Sequence, residues 1–177
     1  MRLVQADLNF VQLPEGKYDV VWTSACLHHL TNLEHLFQEI ERSLRPGGLF
    51  AINDYVGERR LCYDPERIRL ADAIYRQVPA RYRTVGVERV QPPPEADKSP
   101  FEALRSDEIL PLARERFDQL HLGLTGALHP LFFLLDTALM EREEAQWVER
   151  VLVAEEEAVR TPGIRACTAY AVFRKRR

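Results

Sequence analysis

Tyr18-Asp19-Val20-Val21-Trp22-Thr23 and Leu49-Phe50-Ala51-Ile52-Asn53, with the segment between them, decide the fold. Each run is short and rich in β-branched or aromatic residues. Leu13-Pro14-Glu15-Gly16-Lys17 precedes the first and Pro46-Gly47-Gly48 the second. Apolar runs bounded by such turn residues read as buried strands. Between them Leu33, Leu36, Phe37, Ile40 and Leu44 recur at helical spacing and form one apolar face. Thr31 and Glu34 have the spacing of a capping box at the start of that helix. Arg42 and Arg45 sit near its end, where the helix dipole favours cations. Pro46-Gly47-Gly48 should stop the helix and turn the chain. Strand, helix, turn and strand, with both strands apolar throughout, predict a mostly parallel α/β sheet with helices on both faces.

Outward from this unit the pattern continues. Leu3-Val4-Gln5 reads as a short strand before it. Pro65 to Val78 reads as a helix, with Asp64 as N-cap and Pro65 at the first helical position. Thr84 to Pro100 loses periodicity and holds Pro92-Pro93-Pro94, so a mobile Pro-rich loop is expected at about 84–100. Ser106-Asp107-Glu108 opens another helix and Phe117 to Leu124 is strand-like. A helical zone runs from Leu131 to Arg160. Ala166 to Phe173 supplies a last strand, and Arg174 to Arg177 a basic tail.

Composition narrows the function classes. The chain has 177 residues, 46% hydrophobic and 29% charged, which suits one domain over 1–177. Lys and Arg number 24 against 27 Asp and Glu, for a net charge of −3, so no basic field marks a nucleic-acid binder. The scattered Cys26, Cys62 and Cys167 form no CxxC pair, which argues against a disulfide scaffold or a zinc site and fits a reducing, cytoplasmic setting. No signal-peptide core stands at the start. Leu128 to Met140 is shorter than the roughly 20 apolar residues of a bilayer span, so no membrane is expected.

In open parallel sheets, ligands bind beyond the carboxyl ends of the strands. That rule selects Thr23-Ser24-Ala25-Cys26-Leu27-His28-His29 after one strand and Asn53-Asp54-Tyr55 after the other, with the acidic turn Asp7-Leu8-Asn9 as a third place. Each keeps a plainer reading. One histidine could pack or cap while the other faces solvent. Asp7 could cap its own turn, and Asp54-Tyr55 could be a solvated strand end. Cys26 has no basic group nearby in sequence to activate it. Neighbouring residues on a helix point about 100° apart and no further ligand stands at suitable spacing, so His28-His29 predict no metal site.

Ala6-Asp7-Leu8-Asn9, Leu13-Pro14, Tyr18-Asp19-Val20-Val21-Trp22, Leu27-His28-His29-Leu30 and Leu44-Arg45-Pro46-Gly47-Gly48 follow one another with gaps that resemble the class I S-adenosylmethionine-dependent methyltransferases. The chain resembles their C-terminal two-thirds, and Ser99 to Ser106 is similar to the tail of bacterial small-molecule members. The resemblance implies a Rossmann-like sheet with an antiparallel last strand and S-adenosylmethionine as cofactor. It implies that Asp7 accepts the adenine amino proton and that the Leu8 N–H meets the adenine ring. Thr23 and Ser24 would line the methionine part. His28, His29, Asp54 and Tyr55 would stand on the catalytic, acceptor side, and Leu131 to Leu135 would serve as core or as a lid.

A sulfonium methyl donor asks mainly for alignment and exclusion of water, with a base such as histidine where the acceptor is a hydroxyl or amine. The expected reaction is methyl transfer to a small-molecule or glycan-type acceptor. The family's Gly-rich cofactor loop has no match among the eight glycines, so an N-terminally truncated sheet is expected, with the Tyr18 edge open to self-association. The other reading is a truncated, catalytically inactive methyltransferase-like protein acting as a binding or interaction module. A nucleotide-binding dehydrogenase is disfavoured because it needs the same loop.

Overall fold

The strand–helix–strand unit forms from the residues that specify it. β1 (Tyr18–Ser24) runs parallel to β2 (Leu44–Tyr55), and α1 (Leu33–Ser43) joins them. The helix buries Leu33, Leu36, Phe37 and Ile40, the face given by their spacing. Each such side chain contributes about 1.5–3 kcal/mol by leaving water. The computed structural model describes residues 3–176; Met1, Arg2 and Arg177, the last residue of the basic tail, lie outside the described residues. α3 (Ile109–Arg116), β3 (Phe117–Thr125) and β4 (Thr168–Lys175) complete a four-stranded mixed sheet in the order β1-β2-β4-β3. β4 runs antiparallel to β2 from Tyr55↔Thr168 to Leu49↔Arg174, so the chain closes on a reversed strand, as expected.

Some local expectations fail for physical reasons. Leu3-Val4-Gln5 is not a strand, and Leu3 and Val4 are 83% and 71% exposed. The capping box does not form, because long-range partners take both of its members. Asn9 Oδ1 accepts from the Thr31 N–H, the Thr31 hydroxyl and the Asn32 N–H at 3.0, 3.2 and 3.0 Å. The Glu34 carboxylate receives Arg105 at 2.7 and 2.6 Å. Pro46-Gly47-Gly48 is not a separate turn but a bulge inside β2, where the register jumps from Tyr18↔Leu44 to Val20↔Leu49. Gly47 has φ +77, and a Cβ on Gly48 would stand 3.0 Å from the Arg45 carbonyl oxygen. The bulge therefore needs glycine at both positions.

The described residues fall into two units. The first holds the residues up to Arg60, Ser99–Gly123 and those from Thr168 onward. Its core centres on Phe50, whose ring lies 5.5 Å from Phe37, 5.4 Å from Phe117 and 6.3 Å from Phe173. α1 and α3 supply the helical cover of this core. β1 is not buried along its length as its composition suggests: Val20 and Trp22 are 54% and 69% exposed, while Thr23 is buried.

The second unit comprises Leu61–Lys98 and Leu124–Cys167. Its first helix, α2 (Pro65–Tyr75), is capped by Asp64, which accepts the Glu66 N–H as expected. The helical zone after Leu128 is divided into α4 (His129–Phe132), α5 (Thr137–Glu144) and α6 (Gln146–Arg160). Asp136 makes the break before α5 by accepting the Leu139 N–H at 2.9 Å. Leu131 and Leu135 join Tyr75, Tyr82, Met140 and Val151 in the core. The Pro-rich stretch carries only a short helical turn at Glu95–Asp97, and Val90 is held by its N–H to the Asp72 carboxylate at 2.8 Å.

Glu155 on α6 is 5% exposed. It accepts the N–H groups of Gly126, Ala127 and Leu128 at 2.6, 2.9 and 2.7 Å, and the Thr125 hydroxyl at 3.0 Å. Removing a charged acceptor from buried donors costs about 1–3 kcal/mol or more. Urea unfolding should therefore show Glu155→Gln destabilised by that order, whereas Glu156→Gln, whose side chain is 69% exposed, should stay within about 0.5 kcal/mol of the parent.

Candidate functional site

The site lies where β1 and β2 end. After Ser24 the backbone passes through Ala25 at φ +49, and Leu27–His29 closes a single helical turn. The Asn53 carbonyl receives the Ala25 N–H at 2.9 Å, which ties the exit of β1 to that of β2. Side chains alternate along a strand, so Asp54 shares the inward face of Phe50 and Ile52. A carboxylate on the apolar face of a sheet must be compensated. Asp54, only 2% exposed, accepts the N–H groups of Cys26 and Leu27 at 2.9 Å each and the His28 N–H at 3.4 Å. Its Oδ1 also lies 2.5 Å from His28 Nδ1. Burial pushes the Asp54 carboxyl up, but the bonds from the His28 ring and from the Leu27 and Cys26 N–H groups outweigh it and hold the group below the ordinary range.

An ionised carboxylate can only accept, so His28 presents Nδ1–H to Asp54, which leaves Nε2 as the nitrogen that can gain or lose a proton. That nitrogen lies 3.6 Å from Glu102 Oε1. The His29 ring lies against that of His28, tilted by 48° at a centroid distance of 3.9 Å, with Nδ1 3.3 Å from the Phe101 carbonyl and 3.9 Å from Glu102 Oε2. The segment carrying Glu102 is pinned in two ways. The Leu104 N–H donates to the His28 carbonyl at 3.2 Å, and Arg60 donates to the carbonyls of Ser99 and Glu102 at 2.6 and 3.1 Å. The side chains of His28, Glu102 and His29 are 11%, 23% and 42% exposed, so the cluster opens outward through His29.

Fold and chemistry assign the expected site residues differently. His28, His29 and Asp54 come together, with Tyr55 beside them: its ring meets His28 edge-on at 6.2 Å and its hydroxyl donates to the Glu58 carbonyl at 3.1 Å. Asp54 is buried and hydrogen-bonded to the turn after β1 rather than a solvated strand end. Thr23 is 8% exposed and donates to the Ala51 carbonyl at 3.4 Å, whereas Ser24 is exposed at the end of β1. Asp7 is exposed and caps its own turn, Oδ1 accepting the Asn9 N–H at 2.9 Å; Leu8 packs against the first core. Burial, then the Asp54 charge, raises the Cys26 thiol to about 11, which leaves it un-ionised at neutral pH. Glu102 is the residue that spacing does not reveal. It lies far along the chain, inside the Ser99 to Ser106 segment.

Residues 1–52 match the protein family described as the methyltransferase domain. The 27-O-demethylrifamycin SV methyltransferase of Amycolatopsis mediterranei is 36% identical over 67 residues, which are 36% of this chain and 25% of that protein. The malonyl-[acyl-carrier protein] O-methyltransferase of Enterobacter lignolyticus is 38% identical over 48 residues, 27% of this chain and 19% of that protein. The matched stretches thus span a quarter or less of these relatives. The crystal structure of an S-adenosylmethionine dependent methyltransferase from Mesorhizobium loti is similar at 19% identity and a TM-score of 0.47, over 96% of this chain and 67% of that one.

The Asp54 network has a pH signature. Its folded pKa is depressed, so the unfolded chain binds more protons in acid. The stabilisation is complete above the ordinary aspartate value of about 4 and is lost as pH falls through the lower folded value. Urea unfolding at pH 7 should show Asp54→Asn destabilised by about 1–3 kcal/mol. The difference from the parent should shrink as the pH is taken well below 4.

Proposed function

We propose, from the match of residues 1–52 to the methyltransferase domain and their resemblance to the class I S-adenosylmethionine-dependent enzymes, that this protein moves a methyl group onto a small-molecule or glycan-type acceptor. The observation that carries the reading is the His28–Asp54 pair at the carboxyl ends of parallel strands, where an acceptor proton can be taken. The names of the two relatives above place methyl groups on small or carrier-bound molecules, which supports an acceptor of that class. The cofactor, when bound, supplies a methyl group already activated by its sulfonium.

The residues present suit such a cofactor. Asp7 keeps Oδ2 beyond its Asn9 bonds for an adenine amino group, and the Leu8 N–H would serve the ring. Ser24 is exposed at the strand end to meet the methionine part, while Thr23 holds that end in place through Ala51. On the acceptor side, His28 Nε2 takes the proton of the attacking hydroxyl or amine, and the Asp54 carboxylate stabilises the imidazolium that results. His29 and Tyr55 flank the acceptor. The chain's three cysteines accord with a cytoplasmic setting, and among the described residues no helix is long and apolar enough to cross a membrane. β1, at the end of the sheet order with Val20 and Trp22 exposed, would pair with a second copy. Light scattering at micromolar concentration should then report a dimer, and Trp22→Lys a monomer; a monomeric parent would remove this part of the reading.

Calorimetric titration of the 177-residue chain with S-adenosylhomocysteine should give one binding site. A folded chain that releases no heat would show that it does not bind the cofactor by itself. With a methyl acceptor in hand, His28→Ala should lower kcat about 10²–10⁴-fold, and His29→Ala far less.

A further inference from the structure

We infer that His28, His29 and Glu102 form a binding site for a borderline divalent metal ion of the zinc class, with Asp54 as its orienting carboxylate. His28 Nε2, His29 Nδ1 and a Glu102 carboxylate oxygen all lie within 4.8 Å of one another. His28 Nε2 lies 3.6 Å from Glu102 Oε1 and His29 Nδ1 3.9 Å from Glu102 Oε2, so each histidine faces its own oxygen of the carboxylate, and small side-chain shifts would bring the ligands to the roughly 3.4 Å that bond lengths near 2.0–2.1 Å impose in a tetrahedral site. Two imidazoles and one carboxylate suit zinc or cobalt better than magnesium, which prefers oxygen ligands. The arrangement leaves the fourth position of a tetrahedron to solvent or ligand.

The tautomer is already set for coordination. Asp54 accepts Nδ1–H of His28 at 2.5 Å, which leaves Nε2 as the ligating nitrogen on the side of Glu102, the usual arrangement of a carboxylate behind a metal-bound histidine. With neither a proton nor a metal ion between them, the Nε2 lone pair and the carboxylate oxygen at 3.6 Å repel, so the pair calls for a shared cation. His29 joins by placing its proton on Nε2, toward solvent, and exchanging the long contact with Phe101 for the metal. Helical spacing supplies only the adjacent pair of histidines; folding brings the third ligand across from a segment anchored by Arg60 and by the His28 carbonyl. The metal would take up the same nitrogen that accepts a proton in the proposed reaction, so metal and proton compete there. The inference does not rest on that reaction, because binding is measured without donor or acceptor.

The test is titration of the chelator-stripped 177-residue chain with Co²⁺ followed by absorption, and with Zn²⁺ by calorimetry. One equivalent should bind, with cobalt bands of tetrahedral character. His29→Ala and Glu102→Gln, both at partly exposed side chains, should each weaken binding at least about tenfold while circular dichroism stays unchanged. Absence of binding by the folded chain would overturn the proposal. So would an affinity that neither variant changes, since the ion would then sit elsewhere.

Discussion

The buried carboxylate of Asp54 is the constraint on which the first unit's functional end depends. β2 delivers it to the apolar face of the sheet, where an ionised group is tolerated only if it is fully solvated by protein donors. The turn after β1 provides those donors, the N–H groups of Cys26, Leu27 and His28. One interaction therefore ties the ends of two strands, shapes the turn between β1 and α1, and fixes the tautomer of the histidine that the turn presents. The second unit solves the same problem with Glu155, whose carboxylate gathers the N–H groups of residues 126–128. Both carboxylates serve backbone first.

What the sequence discloses follows from the range of the forces involved. The apolar stripe of α1 and the Asp64 cap depend on periodicity or near neighbours and are readable, whereas the reversal of the last strand is a long-range pairing that only the family resemblance implies. The Thr31–Glu34 box has the right local chemistry but loses to Asn9 and Arg105, partners distant in sequence with better-placed groups. The β1 run looks like a buried strand because its residues are apolar, yet alternation places Val20 and Trp22 on the open side. That His28, Asp54 and Tyr55 meet at the strand ends is readable from the order of the elements, and the rule that sites follow strand ends makes them candidates. Glu102 was not, since only the completed fold carries its segment to the histidines.

The methyl transfer proposed above would ask for a proton acceptor held in one orientation beside a rigid strand end, and His28 is held in that way by Asp54. The same rigidity makes the cluster a chelate in waiting. A histidine whose Nδ1 is held by a carboxylate offers its other nitrogen to a proton or to a metal, and in the proposed site the second histidine and Glu102 would add the further ligands. Arg105 adds to the order on this side. Its bonds are the main cause that lowers the Glu34 carboxyl to about 2, so Glu34 stays ionised and the loop of residues 99–105 stays tethered to α1.

The glycine bulge in β2 sets a phase. β1 advances from Tyr18 to Val20 while β2 advances from Leu44 to Leu49, and this mismatch lets Tyr18 lean on the core while Val20 and Trp22 face away from it. Leu44, Phe50, Ile52 and Asp54 must all point inward, and strand side chains repeat every second residue. The Pro46-Gly47-Gly48 spacer can thus change length only by pairs. A single insertion or deletion would set the burial of Leu44 against that of Phe50, Ile52 and Asp54, and the chain would have to surrender either the junction with α1 or the carboxylate that organises the strand ends.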